Sequence, residues 1–417
     1  MEQRPTTALR LPSHVSDRGD ESIASAGSRF NVALAVETSK SFGRGLLVGI
    51  GRYAQVNDRW SLLVEDRGLD DEFPDWIRRE TCDGLILRGR DRFIMRDVLA
   101  RGIPTVCVGE DDPDEATAVE NDDGQTGRLG AEHLLEKGFR RLAFAGIDNY
   151  GWSITRKGSF ARFAARNGIE CEEFVLPRRP DAPPDWGEIR PLIREWLSNV
   201  RKPVGVMACY DVLGQQLTRE CRDLGIGVPD EIAILGVDND ETICELCDPP
   251  LTSVALDTVK IGFEAAATLD AMMRGESRQG KTSVRPLGVV ERGSTDGTAV
   301  TDQDVANAMG YIRRFATRGI DVSDVVKHVC VSRRTLERRF KEQIGSSPSR
   351  EIARHKLERV RLMLVETDRK LDVIARECGY QYTAHMIASF KAAMGSPPGE
   401  YRQNFREQTA ASSVDPA

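Results

Sequence analysis

The sequence predicts a chain of two parts, a bilobal α/β region with two parallel-sheet lobes followed by an all-α domain. Two observations predict this architecture. From Phe30 to about Arg292, short β-rich apolar runs alternate with amphipathic helical stretches, which indicates parallel strands buried on both faces. From about Thr301 onward the strand pattern disappears and the remaining segments are helical. With 417 residues the chain is long enough for two or three domains.

The α/β region contains two series of predicted strands, one for each lobe. Helical stretches separate the strands, and the first of these helices lies near Arg44 to Asn57. The first series is at 30–37, 61–65, 84–87 and 104–109, and the second is at 141–146, 173–176, 204–208 and 232–237. Two such series indicate two lobes. We expect a ligand cleft at the carboxyl ends of their strands.

Polar segments flank and divide the two parts. Residues 1–28 lack the apolar centre of a signal peptide, so we predict a disordered tail there. The stretch 293–302 is small and polar, which indicates a linker between an α/β domain at 29–292 and a helical domain at 303–407. We expect 408–417 to form a second disordered tail.

Composition predicts where the protein resides and what it binds. No stretch approaches the roughly 20 apolar residues of a membrane span, and the nine cysteines are scattered, which suits reduced thiols. We therefore predict a cytoplasmic protein with no membrane partner. Cys244 and Cys247 have the spacing of zinc ligands, but no second Cys or His pair lies nearby. We interpret them as buried thiols, and predict no metal and no cofactor.

The helical domain contains an internal repeat. Each copy has a short helix, a tight turn and a longer helix, and the Phe, Gly and Pro landmarks of the two copies are 50 residues apart. The copies are 325–348 and 373–398, and a helical run from about Pro348 to Glu366 separates them. That run spans about 28 Å, close to the roughly 34 Å between successive major-groove faces. One chain can therefore place both longer helices on one side of a DNA duplex.

The first longer helix has the charge pattern of a DNA reader. Ser332 is a natural N-cap, and Leu336 and Phe340 face inward at helical spacing. The outward positions are Arg333, Arg334, Glu337 and Arg338. Arginine pairs bidentately with guanine from the first turns of such a helix. The helical domain is basic, whereas the rest of the chain is acidic and brings the net charge to -7. This asymmetry predicts double-stranded DNA as a partner.

The helical domain resembles the AraC/XylS family of regulators, in which a long helix joins two helix-turn-helix units. The residues that carry the resemblance are 336–341, Gly345, 374–380, Phe390-Lys391, 395–398 and Tyr401-Arg402. By position, the resemblance implies base contacts by Arg333, Arg334, Glu337 and Arg338. The corresponding residues of the second unit are Thr383, Ala384, Ile387 and Ala388. They are poor in hydrogen-bonding groups, so we expect phosphate or thymine-methyl contacts there.

The α/β region resembles the ligand-binding module of LacI-type repressors and of periplasmic sugar-binding proteins. The supporting stretches are 122–127, 133–138, 141–144, Tyr210-Asp211, Val228-Pro229 and 236–238. Its position in front of an AraC-type domain is similar to the layout of the xylose-operon regulators. The resemblance implies an activator of xylose catabolism genes whose two domains are switched by a sugar in the cleft. It also implies D-xylose as the ligand, a homodimer, and RNA polymerase as a partner of an activator.

Six residues are candidate ligand contacts. Hydroxyl groups of a sugar favour carboxylate acceptors and guanidinium donors, and its apolar face stacks on aromatic rings. The candidates are Phe42, Asp66, Trp152, Arg156, Asp211 and Asp238. Asp211 and Asp238 follow predicted strand ends, and the resemblance implies a ligand arginine at Arg156. Phe42 and Trp152 are equally open to an interpretation as packing aromatics. We interpret Asp123 as the N-cap of the helix through Leu135.

Two alternatives to a xylose-responsive regulator remain open. The first is the same architecture with a different sugar or with no sugar. The second is a sugar-processing enzyme with an appended DNA-binding domain. The sequence contains no nucleophile elbow, phosphate loop or metal-ligand cluster, and the histidines at 14, 133, 328, 355 and 385 form no catalytic set. We therefore predict that the protein is not an enzyme.

Overall fold

A computed structural model describes residues 29–68, 82–88, 100–109, 117–177, 185–276, 280–297 and 302–412. The predicted tail at 1–28 and residues 413–417 lie outside the described residues. Within the described part of the chain, no helix is long and apolar enough to cross a membrane.

In the described residues, the α/β part of the molecule forms two six-stranded sheets, and helices pack against them. The strands are β1 Phe30–Ala35, β2 Trp60–Val64, β3 Gly84–Leu87, β4 Thr105–Cys107, β5 Thr117–Asn121, β6 Arg141–Ile147, β7 Glu170–Leu176, β8 Val204–Ala208, β9 Ile232–Val237, β10 Thr252–Ala255, β11 Lys281–Val284 and β12 Gly288–Val290. The helices in the described part of this region are α1 Ser41–Asn57, α2 Asp123–Glu136, α3 Gly151–Arg166, α4 Trp186–Asn199, α5 Asp211–Leu224, α6 Glu241–Leu246 and α7 Thr258–Met273. All eight predicted strands are present.

Each lobe is built on one sheet. The strand order is β11-β5-β4-β3-β1-β2 in the first lobe and β12-β10-β9-β8-β6-β7 in the second. All pairings are parallel except that of β10 with β12. The central parallel strands are buried on both faces, as the continuous apolar runs predict: every residue of β3, β8 and β9 is buried. The edge strands β2 and β7 are mostly exposed or half-buried.

The chain crosses between the lobes more than once. Helix α7 and strand β11 lie in sequence between β10 and β12 of the second lobe but pack in the first lobe. Two glycines allow α7 to approach α1 closely. A Cβ added at Gly49 would lie 2.0 Å from the Val259 carbonyl oxygen, and one at Gly262 would lie 2.1 Å from the Leu46 carbonyl oxygen. Strands β5, β10, β11 and β12 were not predicted, because all four are short and β5, β10 and β11 also contain polar residues.

The helical part of the molecule runs from residue 302 to the end of the described chain. Its helices are α8 Gln303–Phe315, α9 Val322–Val329, α10 Arg333–Ile344, α11 Pro348–Glu366, α12 Leu371–Glu377, α13 Thr383–Met394 and α14 Pro398–Ser412. As predicted, Ser332 is the N-cap of α10, with its hydroxyl accepting a hydrogen bond from the Thr335 amide at 3.1 Å. Helix α11 has the predicted bounds, with Ser347 as its N-cap.

Two segments differ from the expected boundaries. Ser294 and Thr295, inside the predicted linker 293–302, are fully buried in a short 3-10 helix. The Ser294 hydroxyl accepts from the Thr252 amide at 2.8 Å and donates to the Ile234 carbonyl at 2.6 Å, so small polar residues here complete the second lobe. At the other end, α14 continues to Ser412, into the predicted tail 408–417.

Two ion pairs join the helical part to the second lobe. Arg313 of α8 contacts Asp230, whose side chain is buried, with 2.9 Å between Nη2 and Oδ1, and its Nη1 donates to the Val228 carbonyl at 3.0 Å. The Nη1 atom of Arg354, on α11, lies 3.2 Å from Oδ2 of Asp296. These contacts come from two helices, α8 and α11, and both reach the second lobe.

Candidate functional site

A cavity of about 390 Å³ lies between the two lobes at the carboxyl ends of their strands, where an open α/β fold binds ligands. The described residues of the first lobe that line it are Ser39, Lys40, Ser41, Phe42, Gly68, Arg88, Gly109, Glu120 and Asn121. Those of the second lobe, with the start of α2, are Asp123, Ile147, Tyr150, Trp152, Arg156, Trp186, Tyr210, Asp211, Val212, Asp238, Asp240 and Ile243. Both lobes therefore contribute to one site.

Aromatic rings form much of the cavity wall. The Trp152 ring lies between Tyr150 and Tyr210, with ring centroids 4.9 Å and 5.9 Å apart. On the opposite wall, the guanidinium of Arg88 lies 4.3 Å from the centre of the Phe42 ring. Trp152 and Phe42 thus line the cavity and also contact neighbouring side chains.

Arg156 is held rigidly at the base of the cavity. It is 4% exposed, its Nε donates to Asp123 Oδ1 at 2.6 Å, and its Nη1 donates to the Cys209 carbonyl at 2.6 Å. Its guanidinium also lies 4.9 Å from the Trp152 ring centre. A buried guanidinium with fixed partners is a preorganised donor, because it requires no reorganisation when a ligand arrives.

The interpretation of Asp123 as a helix cap is wrong. The N-cap of α2 is Asp122, whose side chain accepts from the Gln125 amide at 2.7 Å. Asp123 instead is buried, pairs with Arg156 and lines the cavity. Burial raises the pKa of its carboxyl, and the adjacent Arg156 opposes that rise. Two consecutive aspartates made the assignment ambiguous, since either can cap the same helix.

Asp211 lies at the start of α5 with both carboxyl oxygens already in hydrogen bonds. Oδ1 accepts from the Ser253 hydroxyl at 2.6 Å, and Oδ2 accepts from the Asp240 amide at 2.7 Å. Burial raises its pKa well above the ordinary value, and the nearby Asp238 adds to the rise. This carboxyl ties the segments that follow β8 and β9 to strand β10.

Asp238 follows β9 in a backbone conformation that favours glycine, with φ at 104°. Strain of this kind at a non-glycine residue is typical of binding sites, where it aims a side chain. Burial raises the pKa of Asp238 to about 6, while Arg156 and Arg88 oppose the rise. No hydrogen bond from a described residue reaches its carboxyl group, so its acceptor capacity faces the cavity.

The structure brings together five of the six predicted ligand contacts. Phe42, Trp152, Arg156, Asp211 and Asp238 all line the cavity. Asp66 is not among the described lining residues, and its carboxyl accepts a hydrogen bond from the Thr38 hydroxyl.

Sequence reasoning missed several lining residues, including Arg88, Glu120, Asn121, Tyr150, Trp186 and Tyr210. Glu120 and Asn121 end β5, a strand that was not predicted. Polar residues directly before a capped helix were the available signal for this strand end.

The predicted DNA-reading residues of α10 lie on the surface. Arg333, Arg334, Glu337 and Arg338 are exposed, whereas Leu336 and Phe340 are fully buried. Two of the arginines form ion pairs within the helix, Arg333 with Glu337 at 2.8 Å and Arg338 with Glu342 at 2.7 Å. In the second unit, Ala384 and Ala388 of α13 are exposed and Thr383 and Ile387 are half-buried.

Comparison with known proteins identifies both parts. A periplasmic binding protein-like domain model matches residues 131–295, and a helix-turn-helix domain model matches residues 325–404. The chain is 30% identical over 387 residues to the xylose operon regulatory protein of Escherichia coli K12, covering 90% of this chain and 97% of that protein. The chain belongs to the xylose operon regulatory protein family. The Haemophilus influenzae member is also 30% identical, over 90% of this chain and 98% of its own length.

Solved structures agree with this assignment. The structure titled xylose-binding transcription activator xylR superposes with a TM-score of 0.75 at 28% identity, covering 90% of this chain and 98% of that one. This xylose operon regulatory protein family member is therefore a ligand-responsive, DNA-binding transcription regulator and not an enzyme. The predicted bilobal α/β fold with a double helix-turn-helix domain is confirmed. The first domain match extends to residue 295, in agreement with the burial of Ser294 and Thr295.

Proposed function

We propose that this regulator activates genes for xylose catabolism when D-xylose binds in the interlobe cavity. The observation that carries the proposal is the meeting of Trp152, Arg156 and Asp238 on one wall. These residues supply a stacking ring, a fixed donor and an available acceptor, the three groups that a neutral sugar requires. The names of the 30% identical xylose operon regulatory proteins support xylose as the sugar.

Each lining residue has a proposed role. Trp152 and Phe42 stack on the apolar faces of the sugar, Arg156 donates to its oxygens and Asp238 accepts from its hydroxyls. Asp211, whose oxygens are occupied by protein donors, holds the cavity wall in shape. Asp66, bonded to Thr38, orients the adjacent segment 39–41 that lines the cavity.

The DNA-binding roles differ between the two units. In the first, we propose base contacts by Arg333, Arg334, Glu337 and Arg338, whose exposed positions on α10 support this role. In the second, we propose phosphate and thymine-methyl contacts by Thr383, Ala384, Ile387 and Ala388, because these side chains have little hydrogen-bonding capacity.

Sugar binding shifts the balance between open and closed lobes, and the shift is limited by the difference in sugar affinity between the two states. The ion pairs of Arg313 and Arg354 with the second lobe transmit closure to the DNA-binding helices. We propose a cytoplasmic homodimer that contacts RNA polymerase. Its sensor domain is 29–295, with a short linker before the DNA-binding domain at 303–407.

Fluorescence anisotropy of the purified protein on DNA from its own upstream region tests the proposal at fixed salt. We expect D-xylose, but not arabinose, ribose or glucose, to tighten binding. Asp238→Asn should weaken the response to D-xylose by roughly tenfold in sugar concentration, the effect of losing one charge-assisted hydrogen bond. If the protein binds this DNA specifically but no sugar changes the affinity, it is still a DNA-binding regulator, and D-xylose is not its ligand.

Arg52→Ala is a matched control for the sugar response, since this exposed residue lies on α1 outside the cavity. Its D-xylose response should equal that of the wild-type protein. An Asp238→Asn variant that keeps the full response would remove Asp238 from the site.

A further inference from the structure

Asn121, the last residue of β5, lines the cavity and has an unpaired side-chain acceptor. The residue is 5% exposed, and its side-chain amide nitrogen donates to Asp123 Oδ1 at 2.8 Å and to the Thr126 hydroxyl at 2.9 Å. These two bonds fix the orientation of the amide, because only nitrogen can donate. Its oxygen is buried and has no hydrogen-bond partner among the described residues.

Glu120, the preceding residue, presents a second unpaired acceptor. It also lines the cavity, and its Oε2 is buried without a hydrogen-bond partner in the described part of the chain. Burial raises the pKa of this carboxyl, while Lys281 opposes the rise and Asp123 adds to it. A charged oxygen in this position destabilises the empty protein, because it has left water without gaining a donor.

The charge of the cavity wall limits what these acceptors can bind. Among the described lining residues, the acidic ones are Glu120, Asp123, Asp211, Asp238 and Asp240, and the basic ones are Lys40, Arg88 and Arg156. Arg156 already pairs with Asp123, and Arg88 pairs with Glu37. The wall therefore has acceptors and negative charge in excess, which favours a neutral donor and disfavours an anion.

We propose that Glu120 and Asn121 form an acceptor pair that binds hydroxyl groups of the ligand and excludes sugar acids and sugar phosphates. This inference rests on the proposed function, which supplies the sugar ligand. It adds the residues that decide which chemical class of sugar the cavity binds. The pair is placed where both lobes meet, so a hydroxyl bound there contributes to closure. Asn121 donates to Asp123, which also accepts from Arg156. A hydroxyl bound by Asn121 is therefore coupled to the position of Arg156.

The first test combines thermal unfolding of the sugar-free protein with calorimetric titration of Glu120→Gln. This variant removes the buried charge and keeps the shape of the side chain. We expect the melting temperature to rise by about 2–4 °C, and the dissociation constant for D-xylose to increase about tenfold. A lower melting temperature with unchanged D-xylose affinity would overturn the role of Glu120.

Asp211→Asn is the matched control, since it removes a buried carboxylate whose oxygens already have protein donors. Its melting temperature should fall, because the new amide group meets the Ser253 hydroxyl or the Asp240 amide. If the melting temperature of Asp211→Asn rose as much as that of Glu120→Gln, removal of any carboxylate from the cavity would stabilise the protein. That result would overturn the argument from unpaired acceptors.

D-xylonate, the acid of the same sugar, tests the exclusion of anions. The wild-type protein should bind D-xylonate at least tenfold more weakly than D-xylose, and Glu120→Gln should narrow the difference. Equal affinity of the wild-type protein for both would overturn the proposal. If it binds neither, the proposed ligand is wrong, and the melting temperature of Glu120→Gln alone decides whether the acceptor is unpaired.

Monodeoxy derivatives of D-xylose test Asn121. The wild-type protein should prefer D-xylose over the derivative that lacks the hydroxyl bound by Asn121. In Asn121→Ala that one preference should disappear while the others persist. Equal weakening for all the sugars would reduce Asn121 to a residue that positions Arg156, and would overturn its part in the pair.

Discussion

The two helix-turn-helix units of the regulator share a scaffold and differ in the chemistry of their surfaces. In the first, Leu336 and Phe340 of α10 are fully buried, and in the second, Met386 and Phe390 of α13 occupy the same role. On the outer side, α10 presents guanidinium groups, whereas α13 presents mainly small side chains. The apolar pattern thus determines how each unit folds, and the outer positions are free to determine what the unit binds.

The units also belong to separate cores. The first packs with α8 in a cluster that includes Val305, Met309 and Ile312. The second packs against the end of α11, through Val360 and Leu364. Helix α11 contributes to both clusters and thereby sets the distance between the two reading helices.

The largest expected effect is common to both units. Phe340→Ala and Phe390→Ala should each lower the free energy of unfolding by about 3–5 kcal/mol, because each leaves a cavity in its core. Denaturant unfolding followed by circular dichroism measures this loss. Leu362→Ala, at a partly exposed site on α11, is the control. If only one of the two phenylalanines mattered, the units would not share a scaffold.

The next effect should separate the units. Arg338→Ala should weaken specific DNA binding by about 1–3 kcal/mol and random-DNA binding much less, because a base contact is lost. Ala388→Ser, at an exposed position of the second unit, should change specific binding by less than about 0.5 kcal/mol. Anisotropy on specific and scrambled duplexes measures both. Equal losses on the two duplexes would make Arg338 a phosphate contact.

Acidification should act through α11, the helix between the units. Burial, together with the positive charges of Arg354 and Arg313, lowers the pKa of His355 to about 3. The neutral form is thus favoured in the folded state. Stability is complete above the unfolded pKa near 6.5, and is lost as the pH falls from there towards 3.

We expect His355 to contribute a loss of about 1 kcal/mol between pH 7 and pH 5.5. His355→Gln should remove that part of the loss in denaturant unfolding at the two pH values. His385→Gln makes the same change at an exposed site of the second unit. Identical pH dependence in wild type and His355→Gln would argue against a buried, neutral His355.

The smallest effect concerns the turns. The first turn contains Cys330 at φ 57°, whereas the second contains Gly379 at φ 73°. Cys330→Gly should raise the free energy of unfolding by about 0.5–1 kcal/mol, since it relieves a left-handed conformation. Cys330→Ser, which keeps the Cβ, should give no gain in the same unfolding measurement. A gain in both would point to the thiol rather than the backbone.

Sequence patterns predicted the elements better than the site. The eight strands, the Ser332 cap and helix α11 followed from local signals: apolar runs, a capping residue and helical spacing. The cavity depends on residues from distant segments, such as Phe42, Glu120 and Trp152, whose meeting is decided by the topology. Asp123 and Asp66 show why local sequence does not decide the role of a carboxylate. The same short sequence pattern suits a helix cap, an ion-pair partner and a ligand contact.

The ion pairs on α10 determine which charged partners the arginines give up when the helix binds DNA. Arg333 and Arg338 carry carboxylates of their own helix as built-in counterions. When a phosphate or a base takes over either guanidinium, it displaces Glu337 or Glu342 rather than ions from solution. The salt dependence of specific binding then reflects only the ions released from DNA. The two glutamates also weaken the attraction of these arginines to unrelated polyanions.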